Sequence, residues 1–297
     1  MRVVPLAPWV LVVGGACHSP APSAQTIAPP VSVEIVPSAD GGGIALADAP
    51  ADAASPSPPM LEALVESSAM VDLAAKATSP AKVDVPLGAR EPRPIVVAVH
   101  GNFDRPEWTC SVWGEVTDAF PFVVCPRGSK RKDAPGEDRW TYAGSDTAAR
   151  EIDRTLTATR ERWGAHVDDG PALYAGFSLG AILGVPIVSA NPARFPRAIL
   201  VEGGHDGWTD ARAASFAKGA RDAGITPRVL FVCAQNGCVG EATPAKRTLL
   251  RHGVEAEIVS AGNVGHRYDG PVAAMAKSKL AWMVDGLPGW NAPGQPD

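Results

Sequence analysis

The sequence predicts an α/β three-layer sandwich, a mostly parallel sheet with helices on both faces. Two observations carry that expectation. From about residue 80 onward, short aliphatic runs alternate with stretches of helical spacing. The aliphatic runs are also nearly continuous in apolar residues, as strands buried on both faces are, rather than alternating as half-exposed strands do.

The elements follow in order. Ile95–Val99, Phe122–Cys125, Ala172–Phe177, Ala198–Val201, Val229–Val232 and Glu257–Val259 are the expected strands. Trp108–Phe120, Asp146–Trp163, Ser178–Ala190, Thr209–Ala223, Pro244–His252 and Val272–Val284 are the expected helices. Thr243-Pro244 reads as an N-cap followed by proline at the first helical position. One helix alone fits between the strands at 198–201 and 229–232, so no large cap domain is expected there.

Upstream the composition changes. The 297 residues include 30 Gly and 29 Pro, and residues 18 to about 58 are crowded with Pro, Ala, Ser and Gly. Such a segment buries too little apolar surface to offset its ordering entropy. The expected organisation is an export signal over 1–17, a tether over 18–79, the folded domain over 80–288 and a flexible tail over 289–297. Within the tether, Val31–Val36 alternates like an edge strand, and Met60–Ala77 has the spacing of a short amphipathic helix.

Arg2, the apolar run Val3–Val13 and the small residues Gly14-Gly15-Ala16 stand before Cys17. This resembles a bacterial lipoprotein signal, although Gly14 stands where a larger aliphatic residue is usual. The resemblance implies lipid attachment at Cys17, a membrane partner and a cell-envelope location. A plain secretory signal is the alternative. Removing Cys17 from the five cysteines leaves Cys110, Cys125, Cys233 and Cys238, an even number that suits an oxidising compartment. Three pairings are open. Cys110 with Cys125 would tie a helix to the next strand, and Cys233 with Cys238 would close a tight loop. Free buried thiols are the other possibility. The net charge of −5 and the lack of any long basic run give no reason to expect a nucleic-acid partner.

The chemistry centres on Gly176-Phe177-Ser178-Leu179-Gly180. It follows an expected strand and opens an expected helix, the setting of a nucleophile on a sharp turn. "VVAVHGN", Val96 to Asn102, places a His-Gly turn at the end of another strand. "GNVGHRYDG", Gly262 to Gly270, places His266 after the last strand. Together and in this order they resemble the α/β-hydrolase family over roughly residues 80 to 287. The resemblance implies Ser178 as nucleophile and His266 as general base. It implies an oxyanion hole from the N–H of Leu179 and a second N–H at Asn102 or Phe103. No metal or organic cofactor is implied. His100 reads as a structural part of its turn, and His205 is a rival base on the same sheet edge.

The acid departs from the family's pattern. The usual loop is here "CAQNGCVGEAT", Cys233 to Thr243, with no aspartate and Glu241 as its one carboxylate. One strand earlier, Asp206 is the alternative, and Glu202 at that strand's end ranks behind it. A site with no acid is also open. The loop Pro126–Tyr142 offers Trp140 and Tyr142 as contact groups, or else as anchors of a solvated loop. The expected activity is cleavage of carboxylic esters, less readily amides, in a small molecule or a polymer. The alternative is a surface lipoprotein that keeps the scaffold for binding and has lost turnover.

Overall fold

The structure is a computed structural model that describes residues 60–74, 80–134 and 136–290. The expected signal, the lipid-bearing Cys17 and the alternating Val31–Val36 lie outside the described residues.

The elements in chain order are β1 (Met70–Leu73), β2 (Ala81–Asp84), β3 (Ile95–Val99), α1 (Pro106–Val116), β4 (Phe122–Cys125), β5 (Ser129–Lys130) and β6 (Trp140–Thr141). They continue with α2 (Ser145–Trp163), β7 (Leu173–Phe177), α3 (Leu179–Ala190), β8 (Arg197–Val201), α4 (Asp210–Asp222) and β9 (Arg228–Cys233). The last are α5 (Cys238–Arg251), β10 (Glu255–Ser260), α6 (Pro271–Ser278) and α7 (Leu280–Val284). Eight strands form one sheet in the order β1-β2-β4-β3-β7-β8-β9-β10, and β5 pairs with β6 in a separate ribbon. From β4 to β10 every pairing is parallel, while β1 and β2 join antiparallel at one edge.

Side-chain alternation explains the layers. Ile95, Val97 and Val99 of β3 pack into a core with residues of α2, α3, α4 and α5. Val96 and Ala98 face the other way, toward Cys110 and Trp113 of α1 and Val272, Ala276 and Met283 of α6 and α7. A strand covered on both faces has no polar face to show, hence the unbroken apolar runs. Among the described residues no helix is long and apolar enough to cross a membrane.

Three expectations are corrected. Residues 61–69 form no helix; the chain runs irregularly, with Leu61 and Leu64 donating to Arg90 and Ala89 carbonyls, and then enters β1. The helical spacing there arises because Leu64, Val71 and Leu73 all drop into the core from an extended segment. The folded body therefore begins well before residue 80. Pro244 is not at the start of its helix but inside α5, which begins at Cys238 after Gly237 at φ 90°. Having no N–H, Pro244 cannot donate to the carbonyl of Gly240 four residues earlier, so the helix gives up one backbone hydrogen bond there. The expected last helix is two, α6 and α7, broken at Lys279.

Both disulfides are in place as the tight-loop and helix–strand pairings require, Cys110 with Cys125 and Cys233 with Cys238.

Candidate active site

Ser178 occupies the corner between β7 and α3, with φ 49° and ψ −112°. That backbone conformation is costly for a residue with a Cβ and persists only where the surroundings fix it. Here they do: the Ser178 N–H donates to the Val201 carbonyl and its carbonyl accepts from Ile182. The two flanking glycines are required by space. A Cβ on Gly176 would lie 2.6 Å from the Gly180 carbonyl oxygen, and one on Gly180 would lie 2.1 Å from that of Val99. Only glycine at both positions lets the corner close.

The His266 ring reaches this corner from the loop after β10. Its Nε2 lies 2.8 Å from Ser178 Oγ. Phe177, the residue before the serine, stacks on the imidazole at 4.8 Å between ring centres and holds its plane. On the far side, His266 Nδ1 is 3.4 Å from Oε2 of Glu202, whose side chain is only 2% exposed. Glu202 terminates β8, beside β7, and also carries a positive φ of 52°. Its Oε1 accepts the N–H groups of Ala234, at 2.5 Å, and Gln235, at 3.2 Å. The Gln235 side-chain nitrogen stands between the two, 2.6 Å from Glu202 Oε2 and 2.8 Å from His266 Nδ1. These donors satisfy the oxygens of a carboxylate that burial takes out of water.

The loop after His100-Gly101 passes over the serine; a Cβ on Gly101 would sit 3.3 Å from Ser178 Cβ. His100 is buried, its ring nitrogens 2.7 and 2.8 Å from the carbonyls of Gly101 and Arg127, so its role is to shape the turn. The Phe103 N–H donates to the Trp140 carbonyl at 3.0 Å and is not available to a substrate oxygen. The N–H of Asn102 makes no hydrogen bond among the described residues, and its side chain turns away to accept from Thr141 and Arg131. Leu179 is the first residue of α3, where the N–H has no intrahelical partner and the helix dipole favours negative charge.

The crystal structure of esterase PE8 superposes with a TM-score of 0.53 over 72% of this chain and 100% of that one, at 18% identity. The protein TT1662 of Thermus thermophilus gives 0.51 over 73% and 98%, at 12% identity. An uncharacterised protein of Bacillus cereus gives 0.52 over 67% and 62%, at 15% identity. No protein-family model and no curated sequence matches the chain. The parallel sheet, its helices and these superpositions agree.

The chain has the α/β-hydrolase fold.

In this α/β-hydrolase fold the carboxylates fall differently from the expected ranking. Glu241 lies in the first turn of α5 with its side chain 63% exposed, 3.3 Å from His205 Nε2. Asp206 is 97% exposed and also faces His205, at 3.8 Å. Neither is hydrogen-bonded to His266, because α5 turns Glu241 toward the short helical turn at His205–Gly207 instead. His205 is accordingly engaged with these two acids rather than with Ser178. Glu202, ranked last from sequence, is the carboxylate the fold brings to His266. Its sequence signal was slight: an acid directly after a buried strand and before Gly203-Gly204. Gln235 gave no signal at all.

Trp140 and Tyr142 are not open contact groups. Both are buried; Tyr142 donates to the Pro126 carbonyl and stacks 4.6 Å from the His100 ring. The wall beside His266 is built instead by α1 and by the His266 loop. It bounds a cavity of about 440 Å³ whose apolar surfaces come from Phe103, Trp108, Val112, Phe177 and Tyr268. Asp104 lies at its base. Burial pushes the Asp104 carboxyl above its ordinary value, while hydrogen bonds from the Arg105 and Gly101 N–H groups and the Tyr268 hydroxyl pull the other way.

Among the described residues, the grouping of metal-ligand atoms is Glu202, Cys233 and Cys238, within 4.8 Å of one another. Both sulfurs are joined in a disulfide and offer no thiolate.

Proposed function

We propose that this chain is an exported serine hydrolase that cleaves carboxylic esters. The observation that carries the reading is the 2.8 Å contact from His266 Nε2 to Ser178 Oγ, with Glu202 behind the ring. In that order the parts support acyl transfer. Ser178 Oγ forms a bond to the ester carbonyl carbon as its proton passes to Nε2. The oxyanion is met by the N–H groups of Leu179 and Asn102. The leaving alkoxide takes the proton back from Nε2 and departs as the alcohol. Water then attacks the acyl-serine by the same path and releases the acid. Glu202 stabilises the imidazolium in both halves. Esterase PE8 shares the fold, which favours this reaction class.

The binding-protein reading drew its support from a missing acid, and Glu202 beside His266 removes that support. Export and lipid attachment at Cys17 rest on the apolar run before that residue and on the two disulfides, which suit an oxidising compartment.

The test is labelling by a fluorophosphonate probe together with hydrolysis of a short-chain aryl acetate. Wild-type protein should label and turn over. Ser178→Ala should abolish labelling and lower kcat by roughly 10⁴-fold or more. Folded, oxidised wild-type protein that neither labels nor hydrolyses overturns the reading.

A further inference from the structure

The cavity beside His266 is walled by four aromatic rings. Phe177 and Tyr268 form the inner wall, their centres 4.6 Å apart. Phe103 and Trp108 form the outer wall and are 40% and 45% exposed. Large rings left open to water beside a candidate nucleophile mark a contact surface rather than a core.

These outer rings are held in place. The Arg139 guanidinium lies 5.5 Å from the Phe103 ring and 4.8 Å from the Trp108 ring. Arg131 lies over Phe103 at 5.5 Å, and Arg105 over Trp108 at 5.4 Å. Phe103 is further fixed by its positive φ of 62° and its bond to Trp140. A rigid aromatic wall loses little entropy when a ring docks.

The charges nearby are already spent. Arg105 pairs with Asp138 at 2.5 Å, Arg131 pairs with Asp133, and Arg267 pairs with Asp269 at 2.6 Å. Asp104 accepts three hydrogen bonds. Among the described residues the lining holds no unpaired cation, and its one carboxyl without a cationic partner, Asp104, disfavours an anionic group.

We propose that this cavity takes an aromatic ring of the substrate, so that the esters cleaved carry a neutral aryl group within reach of the scissile carbonyl. The inference rests on the serine-hydrolase reading. Ring-on-ring contacts add to plain burial, and two of them amount to roughly a tenfold preference over an alkyl chain of equal size.

The test compares kcat/KM of the full-length oxidised protein on two matched pairs. One pair places the ring on the alcohol side, 2-phenylethyl acetate against hexyl acetate. The other places it on the acyl side, methyl 3-phenylpropanoate against methyl hexanoate. The aryl ester should lead by about tenfold in at least one pair. Trp108→Ala should collapse that ratio toward unity, and Trp108→Phe should preserve most of it. No aryl preference in either pair, or a ratio unchanged in Trp108→Ala, overturns the proposal. Saturation-transfer NMR of the same esters on Ser178→Ala protein reads the cavity without turnover. Preferential aryl binding lost in Ser178→Ala/Trp108→Ala supports the aryl site even in a protein that hydrolyses nothing, and equal aryl and alkyl binding refutes it. Failure of hydrolysis alone counts against the hydrolase reading, and failure of aryl selectivity alone counts against the cavity's occupant.

Discussion

The Gln235 amide carries two hydrogens and stands within reach of two acceptors, Glu202 Oε2 and His266 Nδ1. When it donates to both, Nδ1 is an acceptor and the imidazole proton sits on Nε2, facing Ser178. That tautomer cannot take the serine proton. The productive tautomer has Nδ1–H turned to Glu202, across 3.4 Å. Under the proposed mechanism Gln235 therefore competes with His266 for Glu202. Gln235→Ala should raise kcat on a short ester about two- to threefold by removing the competing state. Glu202→Gln should lower kcat by about 10³-fold, since it removes the charge that stabilises the imidazolium. Glu241→Gln, by contrast, should leave kcat near wild type; an equal loss in both variants would return the acid role to α5. Asp104 yields a pH prediction of defined sign. Its carboxyl is raised in the fold, chiefly by burial, so the folded protein favours the protonated form. Stability then falls as pH rises from the ordinary carboxylate range through that raised value. The Tm of Asp104→Asn relative to wild type should climb across this window and be flat above it. Phe103, Ser178 and Glu202 are three of the five non-glycine residues with positive φ among the described residues. These three strained positions border the candidate site, and such strain is invisible in residue identities. Ser178 and His266 could be read because glycine patterns surround them; Glu202 could not, because its burial is set by the strand next door.

At the scale of elements, the end of β9 organises the site. Cys233 closes β9, Cys238 opens α5, and the disulfide between them fixes the loop that holds Ala234 and Gln235. A bridge across only five positions removes little loop entropy from the unfolded chain. Its effect is local: the Ala234 N–H grips Glu202, and the Ala234 carbonyl accepts from Val264 and Gly265 of the His266 loop. Cys238→Ser in a Cys233→Ser background should therefore depress kcat by roughly tenfold or more while moving Tm by a few degrees, as loss of positioning does. A large fall in Tm with kcat intact in the remaining folded protein would show the bridge to be structural only. The pairing itself was legible as a tight loop. The early start of α5 was not, because Thr243-Pro244 imitates a helix opening, while the true opening is set by Gly237 at positive φ and by the bridge.

For the whole molecule, the parallel sheet and its helix layers were legible because two-sided burial leaves unbroken apolar runs. The edge was not. β1 and the segment before it read as tether, since their few apolar residues are spread through polar chain. Yet Leu64, Val71 and Leu73 are core residues, and Glu66 accepts from Arg162 and from the Trp163 ring nitrogen. Removing residues 1–79 uncovers those contacts and the outer edge of β2. Burial of three aliphatic side chains contributes on the order of 5 kcal/mol, which is comparable to the net stability of a domain. A chain beginning at residue 80 should unfold at markedly lower denaturant than one beginning at residue 58, or aggregate through its exposed strand; equal midpoints would place these residues outside the cooperative unit. Ala234 has one more consequence. The Glu202 side chain and the His266 loop are both hydrogen-bonded to Ala234, at the end of β9, whereas Ser178 follows β7. Thermal sliding of β9 and β10 against β7 carries the histidine loop with Ala234 and draws on the Glu202 side chain that Ala234 holds. The soft coordinate of the site is then the gap between imidazole and serine hydroxyl, so a rate that varies with viscosity or temperature more steeply than bond-making demands would be reporting the breathing of that single gap.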